Sequence, residues 1–301
     1  MFKNCFDSDL NIEYFKWKFL NNPAGEFLGF IAVTELGEVA SYYGVIPERY
    51  IIHGQSKLIY QSCDTMTHSS HRRRGLFQKL ALHCYKYLQE KNELFLIGFS
   101  GEKSTPGFLK MGWKNLFLIV NYFYPAIFTI FSSYQQDADV HEILNYREIE
   151  YLIIKSNKNS IIHSEKTIDS FTWRLANPNH SYRVLAINVN GLYNSYLVYY
   201  IERDKIILFD FYFESKNHAK KLMNKLKIIL KERKLKGVVS FCQENSSFAD
   251  WLRHLGFFYN PFSWGFLSDK ACFILYSDSN LINKYKNPDN WSINSYDHDA
   301  L

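Results

Sequence analysis

Apolar positions along this chain change period several times, and each change predicts an element. The stretch 13–21 reads as a helix that stops near Pro23. "EFLGFIAVTELGEVASYYGVIP" reads as a hairpin whose turn, Glu35 to Glu38, is centred on Gly37. "KLIYQSCDTMTH" (57–68) alternates as a strand. "GLFQKLALHCYKYLQEKN" (75–92) then places Leu76, Leu80, His83/Cys84 and Tyr87/Leu88 at helical spacing. A short apolar strand, "LFLIGFS" (94–100), follows. The uncharged run Asn115 to Gln136 is long enough to span a bilayer. Asn121, Pro125 and its scattered Tyr, Ser and Thr instead predict a core strand ending near Pro125 and then an aromatic docking segment, with no membrane span. Residues 216–237 form a basic amphipathic helix, its lysines opposite Leu222, Leu226 and Ile229, as on a solvated surface helix.

The pattern repeats. "FKWKFLNNPAGEFLGFIAV" from Phe15 and "FTWRLANPNHSYRVLAINV" from Phe171 share a Trp followed by a base, then Asn-Pro, then an apolar run. "TPGFLKMGWKNLF" (105–117) matches "SSFADWLRHLGFF" (246–258), each a short helix closed by a glycine, Gly112 or Gly256. Two matches in one order, about 150 residues apart, predict a duplicated domain. With the seam in the charged, Asn- and Ser-rich stretch 137–165, the domains are 1–140 and 141–285, and 286–301 is a C-terminal tail.

Composition narrows the class. The chain has 301 residues, 47% hydrophobic and 22% charged, which suits globular domains and not disorder. A net charge of +5, from 35 basic and 30 acidic residues, fits an anionic small ligand better than nucleic acid. The five cysteines form no CxxC pair and read as reduced thiols of a cytoplasmic protein; the acidic N-terminus does not resemble an export signal.

One short stretch carries chemistry. In "HSSHRRRGLF" (68–77) a strand ends at Thr67/His68, a basic turn follows, and a helix starts near Gly75. Unpaired first-turn amides and the helix dipole favour a phosphate there, glycine permits close approach, and arginines add charge. A solvated basic turn is the plain alternative. Nucleic-acid binding is disfavoured, because the sequence holds no second basic cluster nearby and no recognisable binding motif. His68 and His71 lack companions for a zinc site, so no metal is expected.

Strand, then [Q/R]-x-x-G-x-[G/A], then amphipathic helix resembles the acyl-CoA-binding signature of the GNAT acetyltransferases. Here it reads Arg72-Arg73-Arg74-Gly75-Leu76-Phe77, with Phe77 in place of the usual small residue. Asp64 to His68, Gly98-Phe99, the "STPGFLKMGW" helix and the tail "NWSINSYDHDAL" are similar to a branch with two GNAT-like halves. The resemblance implies a mixed α/β (α+β) fold of two tandem domains, each a mostly antiparallel twisted sheet flanked by helices. It implies acetyl-CoA as cosubstrate, held by Met66, Thr67, Arg72, Arg73, Arg74, Gly75, Leu76, Phe77 and Ser104. An acceptor amine would attack the thioester directly, and a strand amide near Met66 would stabilise the oxyanion.

Asp64 and His68 are the candidate bases, on one face if the strand is regular. Imidazole has the more suitable intrinsic range, whereas a carboxylate needs an upward shift or a bridging water. The position of the family's tyrosine acid is Phe108 here, and the terminal carboxylate of Leu301 is a further candidate, since some tandem relatives bring the chain end into the site. "FYFESKNHAKKLMNKL" in the second half enters its helix without glycine, so that half, shaping the acceptor cleft, is expected to bind no CoA. The leading reading is N-acetyl transfer to a small primary amine, with an amino sugar, free or nucleotide-linked, as candidate acceptor. A Fem-type aminoacyl-tRNA-dependent peptidyl transferase and a non-catalytic CoA-binding module remain as alternatives.

Overall fold

Tight turns set the register of the first sheet. The computed structural model describes residues 5, 11–129, 137–156, 161–262 and 264–298. By contacts the chain divides into two units, Met1–Phe117 with Ala271–Pro288, and Leu118–Lys270 with the residues from Asp289 onward. This division differs from the seam at 140/141 in the sequence reading: the boundary falls at 117/118, and the late segment Ala271–Pro288 belongs to the first unit.

In the first unit, β1 (Leu28–Val33), β2 (Val39–Ile52) and β3 (Gln55–Thr67) form an antiparallel meander. The turn expected near Gly37 is present, with Gly37 N donating to Thr34 O at 2.9 Å. Between the paired Ile52 and Gln55 lie His53 and Gly54, with φ of 50° and 77°. That two-residue geometry matches the twist of the strands it joins. β4 (Phe95–Ser100) runs parallel to β3, and the strand Ala271–Ser277 pairs antiparallel with its other edge. The predicted helix at 13–21 is a short helix, Ile12–Phe15, followed by a π-type turn, Lys16–Leu20.

Helix α1 (Leu76–Glu90) buries Ala81, Cys84, Tyr85 and Leu88, a face turned from the one predicted because small Ala81 takes the centre while Leu80 lies at the margin. The Tyr85 hydroxyl accepts from Trp113 Nε1 at 2.7 Å and lies 3.3 Å from the Tyr43 hydroxyl, so three large rings share one buried polar point. α2 (Thr105–Lys110) ends before Gly112, whose φ of 94° is the left-handed stop predicted for it.

The second unit repeats the plan. β5 (Lys114–Pro125), uncharged after Lys114, is the predicted core strand and ends at Pro125. Of the aromatic docking segment, Ala126–Thr129 forms one 3-10 turn and 130–136 lie outside the described residues. No helix among the described residues is long and apolar enough to cross a membrane. β6 (Val140–Ile143), β7 (Ile162–Ser164), β8 (Arg183–Val189), β9 (Leu192–Glu202), β10 (Lys205–Tyr212) and β11 (Gly237–Gln243) follow. The main sheet runs β5-β11-β10-β9-β8-β6.

Strand alternation builds two cores on the faces of this sheet. Leu185, Ile187, Leu197 and Tyr199 face α4 (Lys216–Glu232), which buries Leu222, Leu226 and Ile229 as predicted. Val184, Ala186, Tyr196 and Val198 pack instead with Phe171 and Leu175 of α3 (Ile168–Leu175). α5 (Ser247–His254) ends before Gly256 with φ of 90°, the counterpart of Gly112.

The Asn-Pro repeat has a local cause as well. Buried Asn22 and Asn177 each accept, through Oδ1, the amide two residues on, at 2.9 and 3.0 Å. At Gly237 a Cβ would meet the Phe123 ring and stand 2.5 Å from Tyr124 O. Gly237→Ala should therefore destabilise the second unit by about 1–3 kcal/mol, read as a lowered urea midpoint.

Candidate functional site

β3 does not reach the basic turn as a regular strand. Gly44 pairs with Cys63 and Tyr42 with Met66, so Asp64 and Thr65 together face only Tyr43. Asp64 has a left-handed φ of 46°. This is a β-bulge, which inserts one residue and reverses the side-chain alternation beyond it. The sequence reading that put Asp64 and His68 on one face assumed a regular strand, and the bulge removes that premise. Asp64 Oδ2 stands 2.9 Å from Lys18 Nζ, a lysine only 1% exposed.

Past Thr67 the chain makes a 3-10 turn, Ser69–His71, capped by His68, whose Nδ1 lies 2.7 Å from Ser70 Oγ. Arg73 and Gly75 then take positive φ, 64° and 70°, and α1 begins. With no side chain capping its first turn, α1 presents amides and dipole outward. Arg72 Nε donates to Thr67 O at 3.4 Å, and all three arginines are exposed.

Thr67, Arg72, Arg73, Gly75, Leu76 and Phe77 border a groove of about 310 Å³. Met66, Arg74 and Ser104, assigned to the same ligand by resemblance, do not line it. Met66 is buried, with its carbonyl accepting from Ser41 Oγ at 3.0 Å, and the Ser104 hydroxyl donates to Gly101 O. His71, Gln78, Gly107, Lys110 and Met111 also line the groove and were not anticipated. Gly107 could have been: a Cβ there would come within 3.2 Å of the Phe77 ring, so the unusual bulk of Phe77 is matched by a missing side chain across from it.

Beside this groove the sheet opens. β3 and β4 pair only at Tyr60 with Leu96 and Gln61 with Ile97, and then part. The bulge therefore sits on a strand edge that β4 no longer covers. Diphosphate-sized anion binding at the turn and an extended arm along that edge are what this geometry can support. Among the described residues no cluster of three or more His, Cys, Asp and Glu could hold a metal.

The second unit has the corresponding parting, but its own chain fills it. β10 and β11 pair only through Lys205–Ile207 and Gly237–Val239, and β10 carries a register shift between Leu208 and Asp210. Into the opening comes the C-terminal segment. Gln243 N donates to Ile293 O at 3.0 Å, Ser295 Oγ bonds both N and O of Phe241, and Asn294 Nδ2 donates to Asp210 Oδ1. Asp210, fully buried, also takes both of its oxygens to 2.8 Å from Lys166 Nζ and accepts from the Tyr196 hydroxyl. Burial raises the Asp297 carboxyl above its ordinary range and lowers the His163 imidazole below its own.

The turn into α4 has a Ser215 cap on His218 N where the first unit has a bare glycine. Most of the expected tail is thus folded into this unit; Leu301 lies outside the described residues.

Residues 3–115 match the family model for the acetyltransferase (GNAT) domain. Among curated proteins no sequence relative matches the chain. Many solved structures share the fold, among them the following three. A conserved protein of unknown function from Enterococcus faecalis, described as a probable N-acyltransferase, has a TM-score of 0.69 at 9% identity, over 91% of this chain and 67% of its own. A GCN5-related N-acetyltransferase from Anabaena variabilis gives 0.65 at 13% identity, over 91% and 68%. Saccharomyces cerevisiae N-myristoyltransferase with bound myristoyl-CoA gives 0.61 at 9% identity, over 89% and 71%.

Proposed function

We propose, from the premise that this chain belongs to the GNAT superfamily and is an acyltransferase, that it moves an acetyl group from acetyl-CoA to a primary amine of a small acceptor. The observation that carries this reading is the glycine turn at the head of α1, set against the open edge of β3. The amides and arginines of Arg72 to Phe77 fit a diphosphate: they supply donors, positive charge and no side chain at Gly75 to block approach. An amide of the bulge near Met66 is suited to hold the thioester carbonyl. The acceptor nitrogen then attacks that carbon, the amide bond forms as the C–S bond breaks, and the ammonium proton must leave while the thiolate gains one.

His68 is the better placed of the two candidate bases. Its Nδ1 accepts the Ser70 amide and lies 2.7 Å from Ser70 Oγ, so the neutral ring carries its proton on Nε2 and takes up another at Nδ1 by releasing that cap, while the Asp64 carboxylate is engaged with Lys18. An imidazole can both take and return a proton near neutrality. Phe108 is buried and supplies no acid. The second half is proposed to bind no acyl-CoA, which the Ser215 cap and the filled parting between β10 and β11 support. An amino sugar, free or nucleotide-linked, is the proposed acceptor.

Titration calorimetry with acetyl-CoA, followed by thiol release across a panel of amines and nucleotide-linked amino sugars, tests the reading. Binding with acceptor-dependent thiol release is expected. Absent acetyl-CoA binding overturns it, binding without release favours a non-catalytic module, and retention of tRNA at physiological salt favours the peptidyl transferase.

A further inference from the structure

Lys18 lies outside the groove, yet it is tied to the bulge. It belongs to the turn Lys16–Leu20, where Asn21 N bonds back to Lys16 O at 2.9 Å, one residue more than an α-turn holds. Asp64 sits at the extra residue of β3, in a left-handed conformation that favours glycine. Two single-residue insertions, one per element, therefore meet at one 2.9 Å contact.

Each partner explains the other. An ammonium 1% exposed needs a counter-charge, because burial removes its hydration. Asp64 can supply that charge only while its backbone keeps the bulged form. The rings of Tyr14 and Phe19 stand 5.7 and 5.5 Å from Lys18 Nζ, and the Asp64 carboxylate gives the ammonium a charged, directional contact. Glycine would be the easier residue for φ of 46°, so the side chain itself is what position 64 requires.

We propose that Lys18 is a positioning residue for acyl transfer: through Asp64 it holds the bulge so that an amide of Thr65 or Met66 points from the open edge of β3 at the thioester carbonyl. The proposal rests on the acetyl-CoA reading above. It requires no contact between Lys18 and the cosubstrate.

The test reads the carbonyl itself. Infrared difference spectra of the protein with acetyl-CoA carrying a 13C-labelled thioester carbonyl should show the band shifted to lower frequency on binding. In Lys18→Met that shift should vanish while the dissociation constant of free CoA, set at the glycine turn, stays within about threefold. The preference for acetyl-CoA over CoA should fall by about tenfold, the worth of one such hydrogen bond. Lys18→Arg should restore part of the shift. If Lys18→Met does not fold, the double variant Lys18→Met/Asp64→Asn, which leaves neither charge buried, should show the same loss.

A bound carbonyl band unchanged in the folded variant overturns the proposal. Wild-type protein that fails to bind acetyl-CoA rejects the cosubstrate reading first, and this proposal falls with it.

Discussion

Gly75→Glu should weaken acetyl-CoA binding by at least about a hundredfold, roughly 2.8 kcal/mol, with the fold retained. Nothing lies within 4 Å of the Cβ this substitution adds, so no core contact is disturbed. The cost to folding is confined to a φ of 70° at the head of α1, about 1–2 kcal/mol for an L-residue. The cost to binding is larger. A carboxylate at that point competes for the free amides of α1 and places a negative charge where the diphosphate would lie, reversing the favourable dipole. Calorimetry with acetyl-CoA and a thermal melt of the same variant separate the two effects. Near-native affinity in a folded Gly75→Glu protein would move the cosubstrate away from this turn. Gly75→Ala is the graded control: it keeps the open space, adds only the conformational cost, and should lose far less affinity.

Asp210→Ala should lower the melting temperature by roughly 10 °C, the largest stability loss expected of any single substitution considered. Removing one partner of a buried ion pair costs about 3–5 kcal/mol, because the other charge stays in the core without compensation. In a unit of this size each kcal/mol shifts the midpoint by about 2–4 °C. Here Lys166 is 6% exposed and Asp210 fully buried, and the hydroxyl of Tyr196 and the amide of Asn294 lose their acceptor at the same stroke. The loss of Asn294's partner should also loosen the segment 291–298 in the parting of β10 and β11, seen as faster proteolysis near the C-terminus. Lys166→Met/Asp210→Leu, which removes both charges, should recover much of the midpoint. If Asp210→Ala melts like the parent, the pair does not hold this core together.

The chain's local chemistry was open to reading wherever a residue type and its immediate neighbours decide conformation. Gly75, Gly112 and Gly256 take left-handed φ because a Cβ resists it, and each was placed from its neighbours alone. The Asn-Pro openings turn on a side chain bonding two residues ahead. The glycine turn at the head of α1 belongs to this group, since strand end, arginines, glycine and helix are contiguous in the chain.

Tertiary structure decided the rest, because those features join residues far apart. Nothing near Asp64 in the chain announces the bulge; it exists where Lys18, 46 positions away, is buried against that carboxylate. The return of Ala271–Ser277 to β4 depends on a strand edge that only the folded first unit offers. The filling of the second unit's parting depends on Asp210, Phe241 and Gln243 meeting residues 293–295 at the far end of the chain. Which of two similar partings is filled among the described residues is thus settled by long-range contacts. A one-dimensional pattern records the propensity to form each strand and leaves out what later comes to lie beside it.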